Sequence, residues 1–182
     1  MVLRPPPRSG GLSHEADLDL AAKAAAGDVA AFTALVRRHE RRVRAFLARV
    51  TRGEGADDLA QETFLKAWRV ASSYRGEGSY EGWLLRIAWR QFLSSRRKRT
   101  EAPAEPVERA DEASGSPDAR IDVERALARL APREQAAATL CLGEGYSHAE
   151  AAEILDLPLG TLKSIVARAK GALAKQLEGQ AP

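Results

Sequence analysis

Apolar positions recur along this chain at helical spacing, and no segment keeps up a period-2 alternation. Phe32, Leu35, Val36, His39, Val43, Phe46, Leu47 and Val50 follow the i, i+3, i+4, i+7 pattern, with Arg37, Arg38, Arg41 and Arg42 beside them. That spacing predicts a long amphipathic helix with one buried stripe. Gly27-Asp28 ahead of it reads as a turn, and a shorter helix is expected over Leu18 to Ala26 behind a loose tail, residues 1–16. A second amphipathic segment runs from about Asp57 to Ala71. At 100° per residue, Ala60, Phe64, Ala67, Trp68 and Ala71 fall on one side. Asp58, Glu62, Leu65 and Arg69 fall on the other, with Gln61 at its edge. A third segment, Glu81 to about Arg97, places Trp83, Leu84, Ile87, Ala88 and Gln91 on its expected core side. Arg86, Arg90 and Arg97 lie opposite, with Trp89 and Leu93 beside them.

The pattern then breaks. From Glu101 to Asp118 there are three prolines, no aromatic, and six acids against the single base Arg109. Such a stretch has too little apolar area to offset its ordering entropy, so a flexible acidic linker over residues 101–119 is expected. Helical signals resume at Ile121 and reach Leu130. Pro132 suits the first position of the next helix, which should end near Gly143 or Gly145. Ser147-His148-Ala149-Glu150 fits the S-x-x-E capping box, opening a short helix, Ala149 to Leu155. Asp156-Leu157-Pro158 makes a brief turn, and a last helix runs from about Pro158 to Leu177. Short helix, tight turn and longer helix form the helix-turn-helix arrangement. The expected fold class is all-α, with two small helical domains, residues 17–100 and 120–178, joined by the linker.

Composition agrees with a folded protein. The chain has 182 residues, 45% hydrophobic and 29% charged, which excludes a wholly disordered polymer. No run approaches the ~20 consecutive apolar residues of a membrane span, so no membrane insertion is expected. Pro5, Pro6 and Pro7 sit where a secretory signal would be apolar. A lone cysteine, Cys141, forms no internal disulfide, and the expected compartment is cytoplasmic. The net charge of +3 says little by itself, because its distribution matters more.

That distribution is informative. Leu85 to Arg99 carries six bases and no acid, interleaved with aromatics. A solvated basic face is one reading; cations for phosphates and rings for unstacked bases is the other, and the aromatic interleaving favours it. On the last helix Leu162, Ile165, Val166, Ala169, Leu173 and Leu177 form a stripe expected to be buried. Gly160, Thr161, Ser164, Ala167 and Arg168 point away from it, with Lys163 alongside. A small, polar, cationic face near a helix N-terminus suits close approach to a DNA groove; an ordinary αα-hairpin is the alternative. Leu65, alone on a charged face, is either a scattered surface leucine or an anchor within a polar rim. Pattern alone favours the scattered leucine. His39 on the apolar stripe reads as a packed histidine, since no second metal-type ligand lies one turn away. No nucleophile–base motif and no phosphate-cradling loop occur, so neither an enzyme nor a cofactor or metal is expected.

Taken together, four motifs in order resemble a family. These are Gly27-Asp28-x-x-Ala31-Phe32-x-x-Leu35-Val36, Asp57 to Trp68, Trp83-Leu84-x-Arg86-Ile87-Ala88, and Gly160-Thr161-Leu162-Lys163-Ser164 with Arg168-Ala169. The chain is similar, from about Asp17 to Leu177, to bacterial sigma factors of the extracytoplasmic-function type. It departs from the family pattern at Tyr80, Arg90, Ser94, Cys141 and Ile165.

The resemblance implies a transcription initiation factor that directs core RNA polymerase to promoters and assists DNA opening. The first domain would be region 2, docking on the clamp helices of the polymerase largest subunit through Asp58, Gln61, Glu62 and Leu65. The same domain would read and melt the minus-ten element through Arg75, Ser79, Tyr80, Arg86, Trp89, Arg90 and Arg97. The second would be region 4, reading minus-thirty-five duplex through Thr161, Lys163, Ser164, Ala167 and Arg168. An anti-sigma factor is the further partner implied, and nucleoid association is expected of the active state. A helix-turn-helix regulator that binds DNA without polymerase is the competing class.

Overall fold

A computed structural model describes residues 11–101, 127 and 129–178. The expected linker beyond residue 101 and most of the helix expected over Ile121 to Leu130 lie outside the described residues. Those described are helical or in turns, with no strand among them.

Four helices make up the N-terminal half: α1 (Gly11–Ala25), α2 (Val29–Thr51), α3 (Ala56–Arg69) and α4 (Tyr80–Glu101). Helix α1 begins within the segment read as a loose tail, so only part of that expectation stands. Asp17 fixes the helix against α2: its carboxylate is buried, 2.5 Å from Arg38 Nη1 and 3.0 Å from His39 Nε2.

Helix α2 starts where its cap dictates. Asp28 Oδ1 accepts from the amides of Ala30 and Ala31, at 2.8 and 3.0 Å. Its stripe is buried as the periodicity predicts, with Leu35, His39, Val43, Phe46, Leu47 and Val50 inside. His39 lies 3.7 Å from Glu81 as well as beside Asp17, and no group of three metal-type ligands occurs among the described residues. Helix α3 carries Asp57 and Asp58 in its first turn, where the N-terminal dipole favours acids. It turns Leu59, Ala60, Thr63 and Ala67 inward.

Helix α5 (Pro132–Ala138) opens on Pro132 and continues as a wider π turn through Thr139–Gly143. The expected capping box then forms. Ser147 Oγ accepts from the Glu150 amide at 3.2 Å, and Glu150 Oε2 accepts from the Ser147 amide at 2.8 Å. This opens α6 (His148–Leu155), and α7 (Leu159–Glu178) follows the turn at Asp156. Leu162, Ile165, Val166 and Ala169 of α7 are buried.

The two helical groups are not held apart. Most of their buried side chains form one contiguous core, with Leu84, Leu85 and Trp89 of α4 in the same cluster as Ile154 of α6, and Leu130, Ala138 and Ala169 form a smaller one. Helix α4 is apolar around much of its circumference, so it packs on α2 and α3 and also receives α6.

Candidate protein and nucleic-acid interfaces

The acidic edge of α3 stands in solvent. Asp58, Gln61, Glu62 and Leu65 are all exposed on one face, and Leu65 is 50% exposed. Leu65 does not stand alone among polar side chains. It borders a groove of about 520 Å³ between α2 and α3, whose apolar wall is Val29, Phe32, Val36, Phe64 and Trp68. The Phe32 and Trp68 rings pack at a tilt of 53°, with centroids 5.0 Å apart. Asp57, Asp58, Glu40 and Gln61 rim the groove, and Arg44 of α2 pairs with Asp57. An apolar trough with an acidic rim is shaped for a partner helix carrying aliphatic and basic side chains.

The loop before α4 is built on its own contacts. Tyr74 Oη donates to the Gly78 carbonyl at 2.9 Å and closes the turn. Gly76 has φ +79°, and a Cβ there would lie 2.9 Å from Leu18 Cδ2, so only glycine fits without displacement. Ser79 Oγ accepts from the Gly82 amide at 3.0 Å and thereby caps α4.

Helix α4 corrects two expectations. Tyr80 is 2% exposed, packed among Tyr74, Trp83 and His39, and its hydroxyl is buried without a hydrogen-bond partner. Burial holds that phenol well above its ordinary pKa. Trp89 is 1% exposed, between Phe46 and Phe92 at 6.5 and 5.3 Å. Neither ring is placed to stack on a base in this structure. Leu84, Leu85, Ala88, Trp89 and Phe92 form the buried face, rotated from the one expected, and Ile87 is only half-buried. The helix offers apolar residues on nearly every side, so its sequence leaves the phase open; the Phe46 side of α2 decides it.

The cations of this region are better placed. Arg75, Arg90 and Arg97 are exposed and Arg86 is half-buried. Arg90 Nη2 lies 3.2 Å from Asp156 Oδ2, and Arg86 Nη2 lies 3.8 Å from Glu153 Oε2. Arg96 sits over the Phe92 ring at 5.8 Å, and Arg99 pairs with Glu54 at 3.3 Å.

On α7, Thr161, Lys163, Ser164, Ala167 and Arg168 are all exposed on one face. Ser164 Oγ donates to the Gly160 carbonyl at 3.1 Å, and Arg168 Nε lies 3.5 Å from Glu134 Oε1. Cys141 is half-buried, and burial followed by the nearby Glu150 raises its thiol to about 11.

Sequence reasoning missed the residues that join the two halves. Glu144 pairs with Arg42 and Arg49 at 3.4 and 2.8 Å. Gln135 Nε2 donates to the Arg49 carbonyl at 2.6 Å, and Tyr146 Oη donates to Glu81. The one available signal was the surplus of large apolar residues on α4.

Comparison with known proteins follows the same division of the chain. Residues 35–101 match sigma-70 region 2, and residues 120–173 match sigma-70, region 4. The ECF RNA polymerase sigma factor SigM of Mycobacterium tuberculosis is 38% identical over 174 residues, covering 92% of this chain and 88% of its own. RNA polymerase sigma-H factor of Pseudomonas aeruginosa is 28% identical over 186 residues, covering 92% and 96%. Among solved structures, the sigma factor RpoE in complex with the anti-sigma factor NepR from Bartonella quintana matches at a TM-score of 0.66. It is 29% identical over 82% of this chain and 98% of that one. CnrH in complex with the cytosolic domain of CnrY matches at 0.67, with 28% identity over 91% and 99%.

Proposed function

As the chain belongs to the ECF family of RNA polymerase sigma factors, we propose that residues 17–100 dock core polymerase and engage the minus-ten element while residues 120–178 engage minus-thirty-five duplex. It is a transcription initiation factor with a DNA-binding helix-turn-helix, and it is not an enzyme. Residues 101–119 serve as the tether between the two readers. No helix among the described residues is long and apolar enough to cross a membrane. A cytoplasmic location, with nucleoid association in the active state, belongs to the same reading.

One observation carries the docking assignment: Leu65 stands half in solvent beside an open apolar groove, ringed by Asp58, Gln61 and Glu62. An apolar trough within a polar rim has the anatomy of a protein–protein contact. The polymerase clamp helices are the occupant that the family supplies.

For the minus-ten strand, Arg75, Arg86, Arg90 and Arg97 bear the phosphate contacts. Tyr80 and Trp89 support that surface from beneath, and Ser79 sets the start of α4 through its cap. Thr161, Lys163, Ser164, Ala167 and Arg168 approach duplex, where two short polar side chains and one methyl permit close contact and the two cations meet phosphate. Capture of the opened strand shifts melting through differential affinity alone. An anti-sigma factor is a further partner, since both solved neighbours were determined in complexes, one of them with a named anti-sigma factor.

Pull-down by purified core polymerase tests this reading. Asp58→Lys with Leu65→Ala should abolish retention and transcription from a genomic template while circular dichroism stays that of the parent. Undiminished retention would refute the docking face.

A further inference from the structure

We infer that Tyr74 and Leu18 are positioning residues: the Tyr74 hydroxyl and the Leu18 side chain of α1 hold the loop of residues 75–79 in one shape before it meets DNA. This rests on the reading of that loop and α4 as the face that engages the minus-ten strand. The loop needs such ties. Gly76 and Gly78 have φ of +79° and +71°, and glycine leaves a backbone freer than any other residue does. Arg75, Glu77 and Gly78 are exposed, so packing does little to confine them.

Two contacts confine the loop instead. Tyr74 Oη donates to the Gly78 carbonyl at 2.9 Å and closes the chain from 74 to 78 into a ring. The Tyr74 side chain is itself fixed, edge-on to Tyr80 at 5.0 Å and tilted against Trp83 at 5.6 Å. Burial, and then the Asp17 carboxylate, raise its phenol above the ordinary value, so the donor proton is kept at neutral pH. From the other side Leu18 Cδ2 lies 2.9 Å from where a Gly76 Cβ would stand. Leu18 is 36% exposed, too open for a core residue; what it covers is Gly76. Asp17 next to it is buried against Arg38 and His39, which fixes where Leu18 stands. Helix α1 also packs on the short 3-10 turn Ala71–Ser73 that leads into the loop. A loop already in its bound shape pays little ordering entropy when the strand arrives. Apparent affinity falls in proportion to the fraction of chains whose loop is competent. Losing one partly solvated hydrogen bond lowers that fraction by about fivefold.

Tyr74→Phe keeps the ring and deletes the tie, Leu18→Ala uncovers Gly76, and Leu18→Met keeps it covered. Nitrogen-15 relaxation of the full chain reads the loop directly. In the first two variants the order parameters of the Gly76 and Gly78 amides should fall from about 0.85 to below about 0.6, while far-UV circular dichroism stays that of the parent. Binding is read by fluorescence anisotropy of holoenzyme reconstituted with core polymerase. One probe is a fluorescein-labelled single strand selected from a random pool by the parent holoenzyme; the other is fluorescein-labelled oligothymidine. Tyr74→Phe and Leu18→Ala should each weaken the selected strand about fivefold and leave oligothymidine, held through its phosphates, within about twofold. Leu18→Met should match the parent in both measurements. Unaltered order parameters, a loosened loop with unaltered affinity, or an equal loss on both probes overturns the positioning role and leaves the DNA face standing. Undiminished binding of both probes by Arg86→Ala with Arg90→Ala overturns the DNA-face reading beneath it.

Discussion

Replacing Trp89 with alanine separates two roles for the centre of α4, a stacking platform for an opened base or a beam of the core. The ring is 1% exposed and contacts Phe46 and Phe92. A buried aromatic of this size hides on the order of 200 Å², which at about 25 cal/mol per Å² stabilises by about 5 kcal/mol. Against that stands the indole Nε1, buried without a hydrogen-bond partner, at a cost of about 1–3 kcal/mol that alanine removes. The difference places Trp89→Ala at about 2–4 kcal/mol of lost stability, overlapping the ~3–5 kcal/mol typical of such truncations. For a chain of this length that lowers Tm by about 4–16 °C. Trp89→Phe keeps the ring contacts and deletes the stranded donor, so it should stay within about 1.5 kcal/mol of the parent. Circular dichroism melts of the three proteins, run beside oligothymidine binding, make the comparison. An alanine variant melting within about 1 °C of the parent yet losing strand affinity would refute the core assignment and restore the stacking role.

Other consequences are equally direct. Asp28→Ala removes the acceptor that caps α2 and should cost about 1 kcal/mol in a urea melt, with Asp28→Asn recovering most of it. Arg168→Ala should weaken binding of minus-thirty-five duplex and reduce the salt slope by about one; an unchanged slope removes Arg168 from the phosphate contacts. The Cys141 thiol, raised to about 11 by burial, is only about one part in a thousand thiolate at pH 8. Alkylation by iodoacetamide should therefore be slow at neutral pH and rise about tenfold per pH unit up to roughly pH 10. Reaction at the rate of a free thiol at pH 7 would contradict that burial.

The legible parts of the sequence were those where one face met one neighbour. The α2 stripe could be phased because its arginines fall on the opposite side. The Ser147–Glu150 box could be placed because a cap is a local hydrogen-bond pattern that needs no tertiary knowledge. The outward face of α7 was legible for the same reason, with small and cationic residues set against a continuous aliphatic stripe. Leu65 was read from pattern as a surface leucine. The groove beside it could not be read from one helix, because its walls are Phe32 and Val36 on α2 and Phe64 and Trp68 on α3. Helix α4 failed because Trp83, Leu84, Leu85, Ile87, Trp89, Phe92 and Leu93 leave no clean polar side from which to take a phase. The place of Asp17 in the core was missed because a charged residue is buried only once partners such as Arg38 and His39 stand opposite it.

The surplus of apolar residues that blurred α4 also explains its place in the protein. A helix that serves only its own core needs one buried stripe, and a helix that serves only DNA needs one polar stripe. Here Leu84, Leu85, Ala88, Trp89 and Phe92 are buried, while Arg86 and Arg90 project beside the seam with α6. The cations therefore ride on an element whose far side is fixed by Phe46.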